Sequence, residues 1–413
     1  MGNTKLLTKL LRLKGVKITY FEFKNRDKEL HVGVKPSKNG CRCQKCGRRC
    51  PIVRIVAKRS WVDVTILGRK VVFWYAPKEI NCPTHGRAQE EIPWAASLSR
   101  VTYRLEYIVC SLGRIMTQKA AADILKIPTS TMSDILHRVI TRVRAGHKIR
   151  GLVTLGVDEI SYCKGRKFAT IVYDLDRSCV LWVGKGKGRE TIDQFFNEEL
   201  SEHQRLKITW ASSDMSRAYT EAIKHHCPNA KLVIDRFHLV KALNEAVDEV
   251  RKEEWRDLDV DGRKAIKGLR WLLGMGPNSR TKGHTRFLNS LRKSNRRIHR
   301  AWVLKDEFDH FWHYSYLGSA EAFLKQWMTA ALKSRIPSMR TFVGTLKEHY
   351  ANIITFIERP LTNAVGEGIN RVLKIVKNRA SGFRNLESFT DIIYLTMGDL
   401  DIVAQIPAGL RSI

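Results

Sequence analysis

The sequence predicts a multidomain α+β protein. Its 413 residues are more than one domain usually holds, and 43% of them are hydrophobic, which is enough for packed cores. The predicted elements change along the chain, with short strands first, then helices, then strands that alternate with helices. These observations exclude a wholly disordered chain.

The charge of the chain indicates a polyanionic partner. There are 73 Lys and Arg residues against 41 Asp and Glu residues, which gives a formal net charge of +32, and the basic residues are spread through the whole sequence. Nucleic acid is the partner that this charge favours, because each neutralised phosphate releases a counterion. A merely solvated basic surface and a membrane surface are the weaker alternatives. We therefore expect contacts with DNA or RNA across several domains.

The sequence also predicts a compartment. No apolar run reaches the roughly 18 residues that a transmembrane helix needs, and the N-terminus lacks the apolar core of a secretory signal. Nine cysteines are present, five of them between positions 41 and 82. An odd number of cysteines without a secretory signal is typical of a reducing compartment. We expect a cytoplasmic protein without membrane association.

The N-terminal cysteines have the spacing of a zinc site. Cys43 and Cys46 form a C-x2-C pair, and Cys82 and His85 form a C-x2-H pair further along the chain. Two residues between ligands allow a tight turn to direct both side chains at one tetrahedral ion. We expect these four residues to bind structural Zn²⁺, and nothing in the pattern suggests a further ligand or a catalytic role.

Residues 52–75, which separate the two pairs, alternate apolar and polar side chains and predict two or three antiparallel strands. A small sheet closed by zinc at its open end fits this pattern, within a zinc-binding β unit over residues 1–93. Cys41 and Cys50 are competing ligands, and a set of free thiols is the alternative to a metal site. The zinc site is the favoured interpretation.

Residues 94–149 predict a helix-turn-helix unit. Apolar residues recur at helical spacing over 99–116, and Thr117 is placed to cap a short second helix. Pro128 breaks the pattern, and Thr129 is placed to cap the next helix. An ordinary packed helical hairpin is the alternative. In the helix-turn-helix interpretation, the side chains that face the major groove of DNA are Ser130, Thr131, Ser133, His137 and Arg138.

Residues 150–240 predict an α/β domain. Strand-like runs at 152–163, 167–174 and 178–184 precede a helix, a fourth strand, another helix and a fifth strand that ends at Asp235. This order of elements is that of a ribonuclease-H-like fold. In such a fold the first and fourth strands are neighbours.

Each of these two neighbouring strands has an aspartate in it or directly after it. Asp158 lies in the middle of the first predicted strand, and Asp214 follows the fourth. An aspartate in an apolar central strand is costly unless it is paired or binds a metal ion. Mg²⁺ prefers oxygen ligands, and two such ions can hold the attacking and leaving oxygens of an in-line displacement. We therefore expect the two carboxylates to share a metal site.

A third carboxylate is predicted on a late helix that begins near residue 363. Asn363, Glu367, Asn370 and Lys374 recur at helical spacing, so one face of this helix carries them all. Glu367 can complete the metal site, while Lys374 and Lys377 can hold phosphate. The combined placement on a strand, at a strand end and on a late helix is the informative feature, because single acids are usually solvated surface charges.

Four stretches of the sequence resemble the ISL3 family of bacterial insertion-sequence transposases. They are LGVDEIS around Asp158, SSDMSRAY around Asp214, VIDRFHLVK around Asp235 and TNAVGEGINRVLKIVKNRASGFRNLESF around Glu367. The resemblance implies a DDE transposase in which Asp158, Asp214 and Glu367 bind two Mg²⁺ or Mn²⁺ ions. Asp235 and His238 resemble the D-x2-H element of several DDE superfamilies and are candidate accessory catalytic residues. Many members of the family have C-x2-C where this chain has C-x2-H, so the fourth zinc ligand stays open.

The resemblance also implies an activity and partners. Such an enzyme binds the terminal inverted repeats of an insertion sequence as double-stranded DNA, cleaves at the element ends by Mg²⁺-dependent hydrolysis and joins the 3′-hydroxyl ends to target DNA. A homodimer or higher homo-oligomer is implied because two ends must be held together, in the bacterial cytoplasm at the nucleoid. The alternatives are a zinc-containing helix-turn-helix DNA-binding regulator without catalysis and a metal-dependent DNA nuclease that cuts without joining.

Residues 241–345 predict a helical insertion in the catalytic domain, which resumes over 346–413 and contains Glu367. Aromatic side chains in the insertion can stack on an unpaired base, but core packing is the favoured role for each tryptophan. The basic run 292–300, which includes Arg296 and Arg297, is a better candidate for contact with the DNA backbone. The tryptophans concerned are Trp255, Trp271, Trp302, Trp312 and Trp327.

Overall fold

The computed structural model describes residues 4, 6–8, 11, 15–37, 40–163, 167–361, 364–383 and 385–402 of the chain. Contacts divide the chain into two compact units, Met1–Lys148 with Leu373–Ile413, and Ile149–Val372. The N-terminal and C-terminal parts of the chain therefore belong to one unit. The finer division into five segments that the sequence suggests remains a prediction.

Strands dominate the N-terminal part of the first unit. They are β1 (Val16–Lys24), β2 (Glu29–Pro36), β3 (Cys41–Arg42), β4 (Arg49–Cys50), β5 (Ile52–Ile55), β6 (Arg59–Ile66), β7 (Arg69–Tyr75), β8 (Lys78–Cys82) and β9 (Gly86–Gln89). One sheet has the order β1-β2-β7-β6, another has the order β5-β8-β9, and β3 pairs with β4. The antiparallel pairing predicted within residues 52–75 is confirmed for β6 and β7, whereas β5 pairs with β8 in the other sheet.

The larger sheet has an aromatic core and a buried acid that ties it to the first helix. Trp61 and Trp94 pack edge to face, with ring centroids 5.7 Å apart. Asp63 on β6 is buried, accepts a hydrogen bond from the Thr102 hydroxyl at 2.6 Å and pairs with Arg104. Because a buried carboxylate is costly without partners, these contacts fix the start of the helix against the sheet.

Helices complete the first unit. They are α1 (Tyr103–Ile115), α2 (Gln118–Leu125) and α3 (Thr129–Gly146), and α16 (Leu386–Met397) packs on α1 and α3. The predicted cap at Thr117 is confirmed, since its side chain accepts from the Ala120 N–H. The cap predicted at Thr129 is wrong, because the extended residue before the helix is Pro128 and Thr129 is already helical.

The second unit is built on a five-stranded sheet. Its strands are β10 (Thr154–Cys163), β11 (Lys167–Asp174), β12 (Cys179–Lys185), β13 (Trp210–Ser213) and β14 (Lys231–Ile234), in the order β12-β11-β10-β13-β14. The first three strands are antiparallel, and β13 lies parallel to both β10 and β14. The predicted pairing of the first strand with the fourth is therefore confirmed.

Helices make up the rest of this unit, and the last of them, which begins at Ala364, continues past the unit boundary at Val372. They are α4 (Arg189–Glu199), α5 (Glu202–Leu206), α6 (Arg217–His226), α7 (Arg236–Asp257), α8 (Val260–Ile266), α9 (Leu269–Gly274), α10 (Lys282–Ser294), α11 (Arg296–Phe308), α12 (Leu317–Lys333), α13 (Pro337–Glu348), α14 (Tyr350–Glu358) and α15 (Ala364–Arg379). The predicted helical character of 241–345 is confirmed. Within the described ranges, no helix combines the length and apolar composition needed to cross a membrane.

Two cores hold the second unit together. Phe195 of α4 and Ile223 of α6 pack with Leu155 and Val157 of β10 on one face of the sheet. Alternate residues of a strand point to opposite faces, so Asp158 belongs to the other face. The second core joins the end of β14 to the helices from α7 to α14.

Candidate functional site

Four side chains of the first unit converge as a zinc site would require. The ligand atoms of Cys43, Cys46, Cys82 and His85 all lie within 4.8 Å of one another. Cys46 Sγ is 3.6 Å from Cys82 Sγ, and His85 Nδ1 is 3.6 Å from Cys82 Sγ and 3.8 Å from Cys43 Sγ. Thiolates at about 2.3 Å from a tetrahedral zinc ion stand about 3.8 Å apart. The donor set and its spacing fit zinc.

Cys41 and Cys50, the two competing cysteines, lie outside this group of four ligands. Cys41 and Cys50 face each other on β3 and β4, and both are buried. Burial and a hydrogen bond with Glu90 raise the pKa of Cys41 to about 11. Burial acts in the same direction on Cys82, but hydrogen bonds, first of all with His85, lower its pKa to about 6. The geometry groups Cys82 with Cys43, Cys46 and His85, and neither Cys41 nor Cys50 belongs to this group.

Asp158 is the buried centre of an acidic site in the second unit. Its Oδ1 accepts the backbone N–H of Glu159 at 2.7 Å, and its Oδ2 accepts Nδ2 of Asn370 at 2.5 Å. Burial raises the pKa of Asp158, and the charge of Asp214 raises it further. The hydrogen bonds and His238 oppose this shift without cancelling it. A cation bound beside this carboxylate would favour its ionised form.

Two further acids, Asp214 and Asp235, follow the strands β13 and β14. Asp214 comes directly after β13, is half-buried and accepts the backbone N–H of Ser216 at 2.9 Å. Asp235 comes directly after β14, is buried and caps α7 through the backbone N–H of Phe237. Because both strands run parallel to β10, their carboxyl ends meet at one edge of the sheet.

His238 joins the predicted D-x2-H element to this site. Its Nε2 lies 3.9 Å from Oδ1 of Asp158 and 3.6 Å from Oδ2 of Asp235. The three-residue spacing places both members of the element on one turn at the start of α7. His238 therefore stands between two buried carboxylates.

Tyr173 lies under the acids and is not among the residues predicted from the sequence. Burial raises the pKa of Tyr173 well above its usual value, and the charges of Asp158, Asp235 and Asp214 contribute in that order. The ring crosses β10 at Gly156, where a Cβ atom would come 2.1 Å from the ring carbon Cε2. A glycine two residues before an aspartate on a strand was the available signal.

Glu367 is near this region but not in contact with the other two predicted acids. It is exposed on the first turn of α15 and lines a cavity of about 430 Å³ together with Asp235. In the part of the chain that the structure describes, the Cys and His cluster is the one group of three or more potential ligands close enough to share an ion. Asn363, which the sequence places on the same helix face, lies outside the described residues.

Two of the predicted DNA-contacting residues of α3 are engaged within the first unit. His137 lies 3.2 Å from Asp391 and 3.3 Å from Glu387, both on α16. Arg138 pairs with the buried Glu106 at 3.2 Å. These contacts fit the packed arrangement of helices that was the alternative at this point.

The other predicted DNA contacts differ in exposure. Ser130 is exposed, whereas Thr131 and Ser133 are half-buried. Arg297 pairs with Glu253 and Glu254 at 2.8 and 2.9 Å. Three further basic residues stand on helix surfaces, with Arg296 and Lys374 exposed and Lys377 half-buried.

The tryptophans of the helical segment divide into two groups. Core packing is confirmed for Trp302, Trp312 and Trp327, which are buried. Trp255 is half-buried, and the side chain of Trp271 is 76% exposed beside Arg270. Trp271 is therefore the member of the set for which core packing is not the explanation.

Known proteins resemble this chain over most of its length. A family model for ISL3-type DDE enzymes, described as "Transposase", matches residues 155–393, which is more than half of the chain. The transposase for insertion sequence element IS1001 of Bordetella parapertussis is 29% identical over 399 residues, which cover 94% of this chain and 97% of that protein. The transposase for insertion sequence element IS1557 of Mycobacterium tuberculosis is 25% identical over 381 residues, which cover 86% and 85%.

A solved structure gives a weaker match. The Drosophila P element transposase strand transfer complex aligns with 75% of this chain and 92% of that chain, at 11% sequence identity and a TM-score of 0.36. A TM-score of this size does not establish a shared fold. The family model and the curated relatives agree with the four stretches that predicted the family. The chain belongs to the ISL3 family of DDE transposases.

Proposed function

We propose that this protein binds the terminal inverted repeats of an insertion sequence, cleaves DNA at the element ends by Mg²⁺- or Mn²⁺-dependent hydrolysis and joins the 3′-hydroxyl ends to target DNA. The observation that carries the proposal is the placement of Asp158 on β10 and of Asp214 directly after the neighbouring parallel strand β13, with His238 near both Asp158 and Asp235. Family membership makes DNA transposition the chemistry for which such a site is built.

The donor set fits hard divalent cations. The acids around Tyr173 offer carboxylate oxygens, which are the ligands that Mg²⁺ and Mn²⁺ prefer. Asp158, Asp214 and Glu367 are the proposed ligands of two ions. When bound, such ions activate the attacking oxygen and stabilise the leaving oxygen of a phosphodiester. Glu367 is included as the third ligand because it lines the same cavity as Asp235.

Side chains and backbone groups of the protein would position the metal ligands and the DNA backbone. Asp158 is held on both carboxylate oxygens, by the backbone N–H of Glu159 and by Asn370, so its direction is fixed before substrate arrives. His238, whose Nε2 lies 3.9 Å from Asp158 and 3.6 Å from Asp235, is the proposed accessory residue of this site together with Asp235. Lys374 and Lys377 are the proposed contacts to the DNA backbone.

We propose that the remaining parts recognise and hold DNA. In this division, a zinc-binding β unit over 1–93 and a helix-turn-helix unit over 94–149 contact the terminal repeats. A ribonuclease-H-like catalytic domain, 150–240 with 346–413, is interrupted by a helical insertion over 241–345. A homodimer or higher oligomer brings the two ends together. The net charge of +32 supports DNA contact at several of these places.

A cleavage and strand-transfer assay tests the proposal. The substrate is DNA that carries the repeats flanking the protein's own coding sequence, with Mg²⁺ or Mn²⁺ and a target plasmid. We expect the wild-type protein to cut and join, and Asp158→Asn to bind the ends without cutting. Asp261→Asn is the matched control, because its carboxylate on α8 is 88% exposed and remote in sequence from the site.

The same assay separates the alternatives. Cutting without joining by the wild-type protein would indicate a nuclease. Binding without cutting by the wild-type protein would indicate a DNA-binding regulator. Undiminished cutting by Asp158→Asn would overturn the proposed active site.

A further inference from the structure

We propose that Asn370 is a positioning residue of the acidic site: its amide nitrogen holds Asp158, and its amide oxygen is a ligand for a divalent cation. This inference rests on the proposed function, because it assigns a further residue to the same metal site. Neither the zinc-type spacing nor the three-acid pattern in the sequence points to this asparagine.

The orientation of the Asn370 amide follows from the chemistry of its partner. Nδ2 donates to Oδ2 of Asp158 at 2.5 Å. An ionised carboxylate only accepts hydrogen bonds, so the nitrogen must face Asp158 and the oxygen must face away. The contact therefore fixes both ends of the amide group.

The oxygen of that amide has no hydrogen-bond partner among the described residues, although it is buried. Buried polar atoms are satisfied in the great majority of cases, and an unsatisfied one requires an explanation. An asparagine carbonyl oxygen is a common ligand of hard divalent cations. A cation bound beside Asp158 would satisfy this oxygen.

The local charge favours a cation over a neutral donor. Asp214 and Asp235 directly follow β13 and β14, the two strands that run parallel to β10, and Asp235 is buried like Asp158. The carboxylates of Asp158, Asp214 and Asp235 would attract a positive ion bound at the amide oxygen.

The helix that carries Asn370 also carries the third proposed acid. Glu367 lies three residues before Asn370 on α15, so both side chains share one face of the helix. The hydrogen bond from Asn370 to Asp158 therefore sets the rotation of this helical turn at the site. It brings Glu367 to the cavity that Asp235 also lines.

Binding of Mn²⁺ to the full-length, zinc-loaded protein in the absence of DNA tests the inference. Isothermal titration gives the dissociation constant for wild type, Asn370→Ala, Asn370→Asp and Asp158→Asn. Asn378→Ala is the matched control, because Asn378 is an exposed asparagine on the same helix. Thermal unfolding of the same zinc-loaded protein without added Mn²⁺ is measured for each variant to separate folding from Mn²⁺ binding.

We expect Asn370→Ala to weaken Mn²⁺ binding by about tenfold or more, as loss of a ligand or of a ligand's support does. Asn370→Asp keeps an oxygen ligand, so it should bind Mn²⁺ more tightly than Asn370→Ala. Without added Mn²⁺, Asn370→Asp should unfold at a lower temperature than wild type, because it places a second negative charge beside Asp158. Asn378→Ala should match wild type in both measurements.

Wild-type Mn²⁺ affinity in a folded Asn370→Ala variant would overturn the inference. If Asp158→Asn weakens binding and Asn370→Ala does not, only the role of Asn370 fails. If neither variant changes the affinity, or the wild-type protein binds no Mn²⁺, the proposed metal site fails as well. Equal affinities for Asn370→Asp and Asn370→Ala, both weaker than wild type, would limit Asn370 to positioning and overturn its role as ligand.

Discussion

The backbone at Gly156 makes room for the aromatic ring under the acidic site. Gly156 and Asp158 point to the same face of β10, and Tyr173 pairs with Gly156 across the neighbouring strand. Tyr173 is 1% exposed, so its ring has no free space into which it can move. The glycine is required here by close approach and not by an unusual backbone conformation.

Gly156→Ala should therefore destabilise the second unit. The added methyl group would overlap the Tyr173 ring, and overpacking of this kind costs about 1–3 kcal/mol. Denaturant unfolding of the variant measures this loss. Adding Tyr173→Leu to Gly156→Ala should recover part of the stability, because the shorter side chain vacates the space. Unchanged stability of the single variant would contradict the steric argument.

The sequence predicts the positions of some residues around Asp158 and misses the contacts of others for a physical reason. Asp158 and Asp214 were predictable because a strand's period and its end are local properties of the chain. The contact of Asn370 with Asp158 was not predictable, since it depends on how a late helix packs against the first strand of the sheet. Helical spacing placed Glu367 and Asn370 on one face but did not indicate which would touch Asp158.

At the scale of single elements, local signals fixed helix positions better than strand partners. Thr117 caps α2 because its hydroxyl and the receiving N–H lie within one turn. Alternation over 52–75 identified strands, but it contains no information on which strand pairs with which. β5 pairs with β8 and not with β6, and β8 lies outside residues 52–75.

The end of α9 illustrates an element held by a distant side chain. Lys305 of α11 donates to the carbonyl oxygens of Leu273 and Met275, at 2.8 and 2.7 Å. These are carbonyls at the C-terminus of α9, where a positive charge is favourable. Burial nevertheless lowers the pKa of Lys305 to about 8, and the charge of Arg280 acts in the same direction.

This shift gives Lys305 a pH-dependent effect on stability. An unfolded lysine keeps its proton up to a pKa of about 10.4, whereas the folded Lys305 loses it near pH 8. Between these values the unfolded state binds more protons, so the contribution of Lys305 to stability rises with pH. We expect the free energy of unfolding of wild type, minus that of Lys305→Met, to increase from pH 7 to pH 9.5. A difference that stays constant over this range would contradict the argument.

At the scale of the whole molecule, the two compact units contain candidate metal sites with different kinds of ligand. The unit formed by Met1–Lys148 and Leu373–Ile413 contains the Cys and His cluster, whereas Ile149–Val372 contains the acidic site. Zinc prefers thiolate and imidazole ligands, and Mg²⁺ prefers carboxylates. Removal of one metal should therefore affect one unit and leave the fold of the other intact.

Zinc removal tests this separation. The strands around the cluster are as short as two residues, so we expect a bound zinc ion to stabilise their hairpins. We expect one zinc ion per chain in the purified protein, measured by a colorimetric chelator, and none after Cys43→Ser. Hydrogen exchange should then accelerate in β3, β4, β8 and β9, while β10 and β13 stay protected as in wild type.

Cys50→Ser is the matched control, since Cys50 is a buried thiol of the same hairpin outside the four-residue set, and it should retain zinc. Zinc lost by Cys50→Ser and kept by Cys43→Ser would reverse the ligand assignment.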